Sequence, residues 1–101
     1  MFENYLVYLG EVIELKLKQK VPPVTVIEIE EALFNMEARP IIDDRARNRT
    51  IPPTVWFISE TNEGRVLKVV GIFRPIDKIF VVKTAYEPDQ MEIDHYEANN
   101  R

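Results

Sequence analysis

The chain has 101 residues, 46% of them hydrophobic, with ten aromatics, one histidine, no cysteine and a formal net charge of −4. That length suits a single domain spanning 1–101 around one core, and the lack of cysteine removes disulfides, thiolate catalysis and cysteine-ligated metals together. No apolar run approaches the ~20 residues that span a bilayer, and Met1-Phe2-Glu3-Asn4 lacks the basic region of a signal peptide, so a soluble cytoplasmic protein is expected.

Residues 5–20 carry two patterns. Leu6, Leu9, Val12 or Ile13, and Leu17 recur at helical spacing, while Ile13, Leu15 and Leu17 alternate with Glu14, Lys16 and Lys18 as a strand would. Good helix formers and the Glu14–Lys18 i,i+4 pair favour a helix over 3–20, which Pro22-Pro23 ends. Thr25-Val-Ile-Glu28 has the spacing of a capping box. It predicts a second helix over 26–36, with Val26, Ile29, Leu33 and Met36 facing the core and Glu28, Glu30, Glu31 and Glu37 facing water.

Residues 38–53 have no clear period and hold the charged run Asp43-Asp44-Arg45-Ala46-Arg47-Asn48-Arg49. They read as a mobile loop with a short edge strand at Ile41-Ile42. Three β-branched and aromatic runs follow, predicting strands at 54–60, 65–74 and 78–86. Asn62-Glu63-Gly64 and Pro75-Ile76-Asp77 are the turns, with Gly64 at positive φ. Asp89-Gln-Met-Glu92 repeats the capping spacing and opens a helix over 90–98, leaving 99–101 as a frayed tail. The expected fold is α+β: two N-terminal helices, a three- to four-stranded antiparallel meander and a short C-terminal helix.

Several chemistries lack their residues. Three isolated glycines make no phosphate loop. One histidine and no cysteine leave zinc without ligands, and Ser59, the only serine, sits in a strand rather than on a nucleophile elbow. No metal or cofactor is expected. Charge is segmented: residues 1–37 hold three Lys/Arg against seven Asp/Glu, residues 38–86 nine against five, and residues 87–101 one against five. A basic centre between acidic ends suits an anion-binding face.

That centre places Arg65, Lys68, Arg74, Lys83 and Tyr86 on strands and is followed by His95 and Tyr96 on the last helix. Strict alternation sets Lys68 and Arg74 on one face of the second long strand with Arg65 on the other, and Lys83 and Tyr86 on opposite faces of the third. A metal-free ribonuclease needs a base for the 2′-hydroxyl, cations for the phosphorane, an acid for the leaving oxygen and a surface for the bases. The residue types are present: Lys83 as a phosphate clamp, Tyr86 or His95 for proton transfer, and Arg45, Arg47, Arg49, Lys68 and Arg74 for the RNA backbone. Each also fits a structural role, as a solvated charge, a snorkelling lysine, a core tyrosine or a surface histidine.

Glu28-Ile-Glu-Glu-Ala-Leu-Phe-Asn35, followed by Gly64-Arg-Val-Leu-Lys-Val-Val70, Val81-Val-Lys-Thr-Ala-Tyr86 and Glu92-x-x-x-Tyr96, resembles the BrnT-like toxin family. This is a branch of the RelE/ParE-like small ribonuclease toxins of type II toxin–antitoxin systems, and the resemblance covers residues 11–98. It implies a RelE-like fold and a cytoplasmic endoribonuclease that cleaves mRNA. A cognate antitoxin, for which a ribbon-helix-helix protein is a candidate, would neutralise it. Arg65 would contact phosphate, Tyr86 would take the functional position of the last strand, and Tyr96 would match the helix tyrosine. The chain departs from the pattern at Gln19-Lys20-Val21-Pro22-Pro23, where family members carry Lys-His, and at Tyr86, where many carry arginine. The alternative is a non-catalytic interaction module of the same fold, with a meander edge open to a partner strand or a second copy.

Overall fold

The computed structural model of the chain describes residues 2, 4–45 and 49–100. Its elements in chain order are β1 (Leu6–Tyr8), α1 (Glu11–Lys18), α2 (Val26–Phe34), β2 (Ile41–Ile42), β3 (Thr54–Glu60), β4 (Val66–Arg74), β5 (Ile79–Tyr86) and α3 (Gln90–Ala98). The α+β class and the β3–β4–β5 meander are as expected. The sheet is larger, with five strands in the order β1-β5-β4-β3-β2. It is mixed rather than antiparallel, because β1 pairs parallel with β5, Leu6 opposite Ile79 and Tyr8 opposite Val81.

The expected helix over 3–20 is therefore corrected to a strand followed by a helix. Gly10 marks the change: it is extended (φ −65°, ψ 156°) and is the N-cap of α1. The apolar run Tyr5–Leu9 lies before it and can be drawn onto the β5 edge. The Glu- and Lys-rich segment after it forms the helix, with Glu11 and Glu14 in the first turn and Lys16 and Lys18 in the last, matching the helix dipole. Thr25 and Glu28 form the reciprocal capping box of α2, and Asp89 and Glu92 that of α3.

Gly64 has φ +87° and closes the β3–β4 hairpin, a backbone region that L side chains rarely adopt. β3 and β4 pair without a break from Thr54 opposite Ile72 to Glu60 opposite Val66. The β4–β5 ladder shifts register between Val70 and Gly71. Thr84 opposes Val70 and Val82 opposes Gly71, leaving Lys83 as the extra residue of a β-bulge.

One sheet face is the main core. Phe57, Leu67, Val69, Phe80 and Ala85 are wholly buried there, in one cluster with Leu17 of α1 and Ile29, Ala32 and Leu33 of α2. Each large side chain buried in this way stabilises the fold by roughly 1.5–3 kcal/mol. α3 covers part of the opposite face, where the Tyr96 and His95 rings meet Trp56 at 5.5 and 5.6 Å. In the segment read as a loop, the Ile41-Ile42 strand is present, and the Asp43 amide donates to the Thr54 carbonyl at 2.8 Å. In the tail, Asn100 accepts from the Arg39 amide at 2.9 Å and donates to the Tyr96 carbonyl at 3.0 Å. Among the described residues no helix is long and apolar enough to cross a membrane.

Candidate functional site

The β5 bulge decides which polar side chains meet. Strict alternation would put Tyr86 on the main-core face with Phe80 and Val82. The extra residue at Lys83 resets the alternation, so Tyr86 stands directly opposite Lys68 on the α3 face, while Ala85 joins the core beside Val69. Lys83 also turns to the α3 face, where its ammonium reaches the hydroxyl of buried Thr54 at 3.3 Å. The expected split of Lys68, Lys83 and Tyr86 between two faces is thereby corrected.

Glu92 of α3 gathers these groups. Its Oε1 accepts from the Asp89 amide at 3.1 Å, completing the cap. Its Oε2 accepts from Lys68 Nζ at 2.8 Å and from the Tyr86 hydroxyl at 2.7 Å. Burial works against the Glu92 charge, but the Lys68 and Tyr86 hydrogen bonds outweigh it and hold the carboxyl down to about 2. Lys68 is subject to the same burial penalty, and its bonds to Glu92 and Tyr86 leave it raised. Burial, then the Glu92 hydrogen bond, raises Tyr86 and keeps its proton in place. The Lys68 ammonium also lies 4.4 Å from the centre of the Trp56 ring.

A cleft of about 650 Å³ opens beside this cluster, between β2 with its following residues and α3; Asp43, Arg45, Trp56, Lys68, Glu92 and His95 are among its walls. Arg45 forks buried Asp43 through Nε at 3.0 Å and Nη2 at 2.6 Å. Those bonds and the Asp43 charge raise Arg45. His95 is exposed, with its imidazole ring over Trp56. The arrangement can grip an anion if Glu92 yields, and it offers one phenol and one imidazole for moving protons.

Of the expected site residues, Arg45, Lys68 and His95 line this cleft, and Tyr86 stands behind its wall, bonded to Glu92. Tyr96 lies behind the cleft in the core, with its hydroxyl buried. Burial pushes that phenol up to about 12, against the lowering effect of a hydrogen bond with the Ile58 backbone. Arg65 is elsewhere and fully engaged. Nη1 bonds both Glu28 oxygens at 3.0 Å and the Pro23 carbonyl at 2.7 Å. Nη2 bonds the Pro22 carbonyl at 3.1 Å and Glu87 at 3.0 Å, and Nε also bonds Glu87 at 3.0 Å. With every N–H taken, Arg65 clamps β4 to the start of α2 and to the residue after β5. Arg74 pairs with Asp77 in the β4–β5 turn, and Arg49 Nε donates to the Asp44 carbonyl at 3.0 Å. Arg47 lies outside the described residues.

Sequence reasoning missed Glu92 and Trp56 as members of the site. Glu92 carries a capping signal that hides its second oxygen's role. Trp56 had a usable signal, since it lies on the same parity of β3 as Ile58, which opposes Lys68. Among the described residues no group of three or more His, Cys, Asp or Glu could hold a metal ion. Comparisons with protein-family models, with curated proteins and with solved structures give no match.

Proposed function

We propose that the chain is a toxin-like endoribonuclease that cleaves mRNA without a metal, with its site in the Lys68–Tyr86–Glu92 cleft. The observation that carries this reading is the meeting of Arg45, Lys68 and His95 on one open cleft, with Tyr86 brought by the β5 bulge onto Lys68 and Glu92 at its wall. The order α2, β3, β4, β5, α3 also follows the order of the motifs that resemble the BrnT-like family.

In this reading an RNA phosphate displaces the Glu92 carboxylate, and Lys68 and Arg45 neutralise the phosphorane. The 2′-oxygen loses its proton to His95 and attacks phosphorus. The bond from phosphorus to the 5′-oxygen breaks, and that oxygen takes a proton from Tyr86, leaving a 2′,3′-cyclic phosphate and a 5′-hydroxyl. The enzyme acts in the cytoplasm and is held in check by a cognate antitoxin.

The second reading is a non-catalytic interaction module. It is favoured by the engagement of Lys68 and Tyr86 with Glu92 and of all Arg65 donors with protein acceptors. Incubating the purified chain with mRNA separates the two. The nuclease reading expects cleavage to cyclic-phosphate ends, reduced by about 10²-fold or more in His95→Ala, the size typical of a lost proton-transfer group. RNA left intact at large protein excess, with no growth arrest on expression, leaves the interaction module.

A further inference from the structure

The Lys68 cleft already holds an anion, and that anion belongs to the chain. Glu92 is one of the cleft walls, and Tyr86 stands behind it, its hydroxyl bonded to Oε2. Lys68 Nζ donates to the same oxygen, with 13% of its side chain exposed against 25% for Glu92. Oε1 is occupied by the Asp89 amide, so Glu92 offers the sheet one acceptor for two donors. A second ammonium, that of Lys20, lies 5.5 Å from the centre of the Tyr86 ring. Lys20 has no carboxylate partner among the described residues. Two ammonium groups therefore lie near one phenol, and Glu92 pairs with only one of them.

The helix that carries Glu92 is lightly held at that end. Tyr96, towards its C-terminus, is the only buried residue of α3, and Gln90 and Met91 of the first turn are exposed. The Glu92 side chain can therefore swing outwards without opening the core. Losing it outright would strand a partly buried ammonium, which is costly, but exchanging it for another anion keeps Lys68 paired. A phosphoryl group suits that exchange, because its free oxygens give Lys68 and Tyr86 an acceptor each. The unmatched charge of Lys20 adds to the attraction. We propose that Glu92 is a built-in competitor, an internal carboxylate that fills a phosphoryl-binding site formed by Lys68 and Tyr86 and holds it closed in the chain on its own. The inference rests on reading the Lys68 cleft as an anion site, and it concerns the regulation of that site rather than the cleavage step. A phosphate enters from the open side, takes over the Lys68 and Tyr86 hydrogen bonds, and turns the Glu92 carboxylate out into water.

The test titrates the isotope-labelled full chain with inorganic phosphate and, separately, with a short oligonucleotide lacking the 2′-hydroxyl, which this chemistry cannot cleave. The amides of Lys68 and Tyr86 and the indole N–H of Trp56 are followed. Glu92→Gln should bind both probes about 10-fold or more tightly than the parent, the size of a hydrogen bond to a charged group that no longer has to be displaced. Glutamine also serves at the third position of a capping box, so α3 is retained. Glu97→Gln, on α3 but outside the walls of this cleft, removes the same charge and should leave both affinities unchanged. Adding Lys68→Met to Glu92→Gln should abolish the gain. Equal binding by the parent and Glu92→Gln, or equal tightening by Glu97→Gln, overturns the competitor. The nuclease reading fails by a different result. Tighter phosphate binding by Glu92→Gln, with RNA left intact by both proteins, upholds the competitor and removes the nuclease. RNA cleavage by the parent, with affinity unchanged in Glu92→Gln, does the reverse.

Discussion

Glu92 caps α3 with one carboxylate oxygen and ties that helix to the sheet with the other. The tie predicts an acid-sensitive attachment. Its carboxyl is held at about 2 in the fold, below the ordinary 4.5. A depressed carboxylate contributes stability that is complete above the unfolded value and is lost as pH falls through the folded one. The Glu92 contribution is therefore intact above about pH 4.5 and fades between there and about pH 2. Glu92→Gln should be less stable than the parent at neutral pH and show a flatter stability curve over that window, measured by urea unfolding. Parallel curves for the two proteins would mean the tie carries no linkage. Arg65 makes a different case at the same scale. Gly64-Arg65 in the sequence suggests an exposed hairpin cation, and nothing nearby announces that Glu28, Glu87 and two proline carbonyls will converge on it. Those acceptors come from three separate stretches of chain, so only the fold reveals that no N–H is left for a phosphate. Arg65→Ala should lower stability by about 1–2 kcal/mol, since it strands the partly buried Glu28 carboxylate while water can reach exposed Glu87 and the proline carbonyls. A loss under 0.5 kcal/mol would show the clamp to be solvent-compensated.

The bulge in β5 is the element on which both the core and the site depend. Gly71 lies at the register shift, and a Cβ there would collide with the Val81 carbonyl oxygen and meet the Phe80 ring at 2.6 Å. The oxygen belongs to backbone and cannot swing aside as a side-chain tip could. Gly71→Ala must therefore part the strands or undo the bulge, at a cost of about 1–3 kcal/mol or more. Because the bulge also sets the side of Tyr86, the same variant should weaken the Lys68–Tyr86–Glu92 contact. A chemical-shift change at Tyr86 together with a lower melting temperature is the expected signature; an unchanged melt would mean that Gly71 is not required. The hairpins, α2 and α3 were legible in the sequence because turn glycine and capping boxes are local signals. The bulge was not, since Lys83-Thr84 alternates like any strand and only pairing with β4 exposes the extra residue. β1 was hidden for a related reason. Three residues are too few to show a period, and their strand character comes from the free β5 edge rather than from their own sequence.

Across the whole molecule, the acidic ends fold back onto the basic centre. Glu28 and Glu87 meet Arg65, and Glu92 meets Lys68, so each link joins a terminal block to the middle one. Part of the charge segmentation that suggested an open anion-binding face, at Arg65 and Lys68, is thus spent inside the fold, and the cations left at the cleft are fewer than the sequence count implied. The N-terminal segment closes the architecture. β1 hydrogen-bonds along the β5 edge, Phe2 stacks on Phe73 at 4.3 Å, and Tyr5 meets Phe73 edge-on at 5.3 Å. Without this segment the Ile79–Val81 stretch of β5 would present unpaired N–H and C=O groups at the sheet edge, the arrangement that recruits further strands. Removing residues 1–9 should therefore have two effects. Loss of the aromatic contacts and of the Val7 and Leu9 packing should lower stability by roughly 2–4 kcal/mol. Exposure of the β5 edge should make the truncated chain associate as its concentration rises, seen as an earlier-eluting species in size-exclusion chromatography. Charged substitutions on that edge, such as Val81→Lys, should return it to the monomer position without restoring the lost stability, because they block pairing but replace none of the packing. A truncated chain that stayed monomeric at high concentration would show that the β5 edge is not held closed by β1.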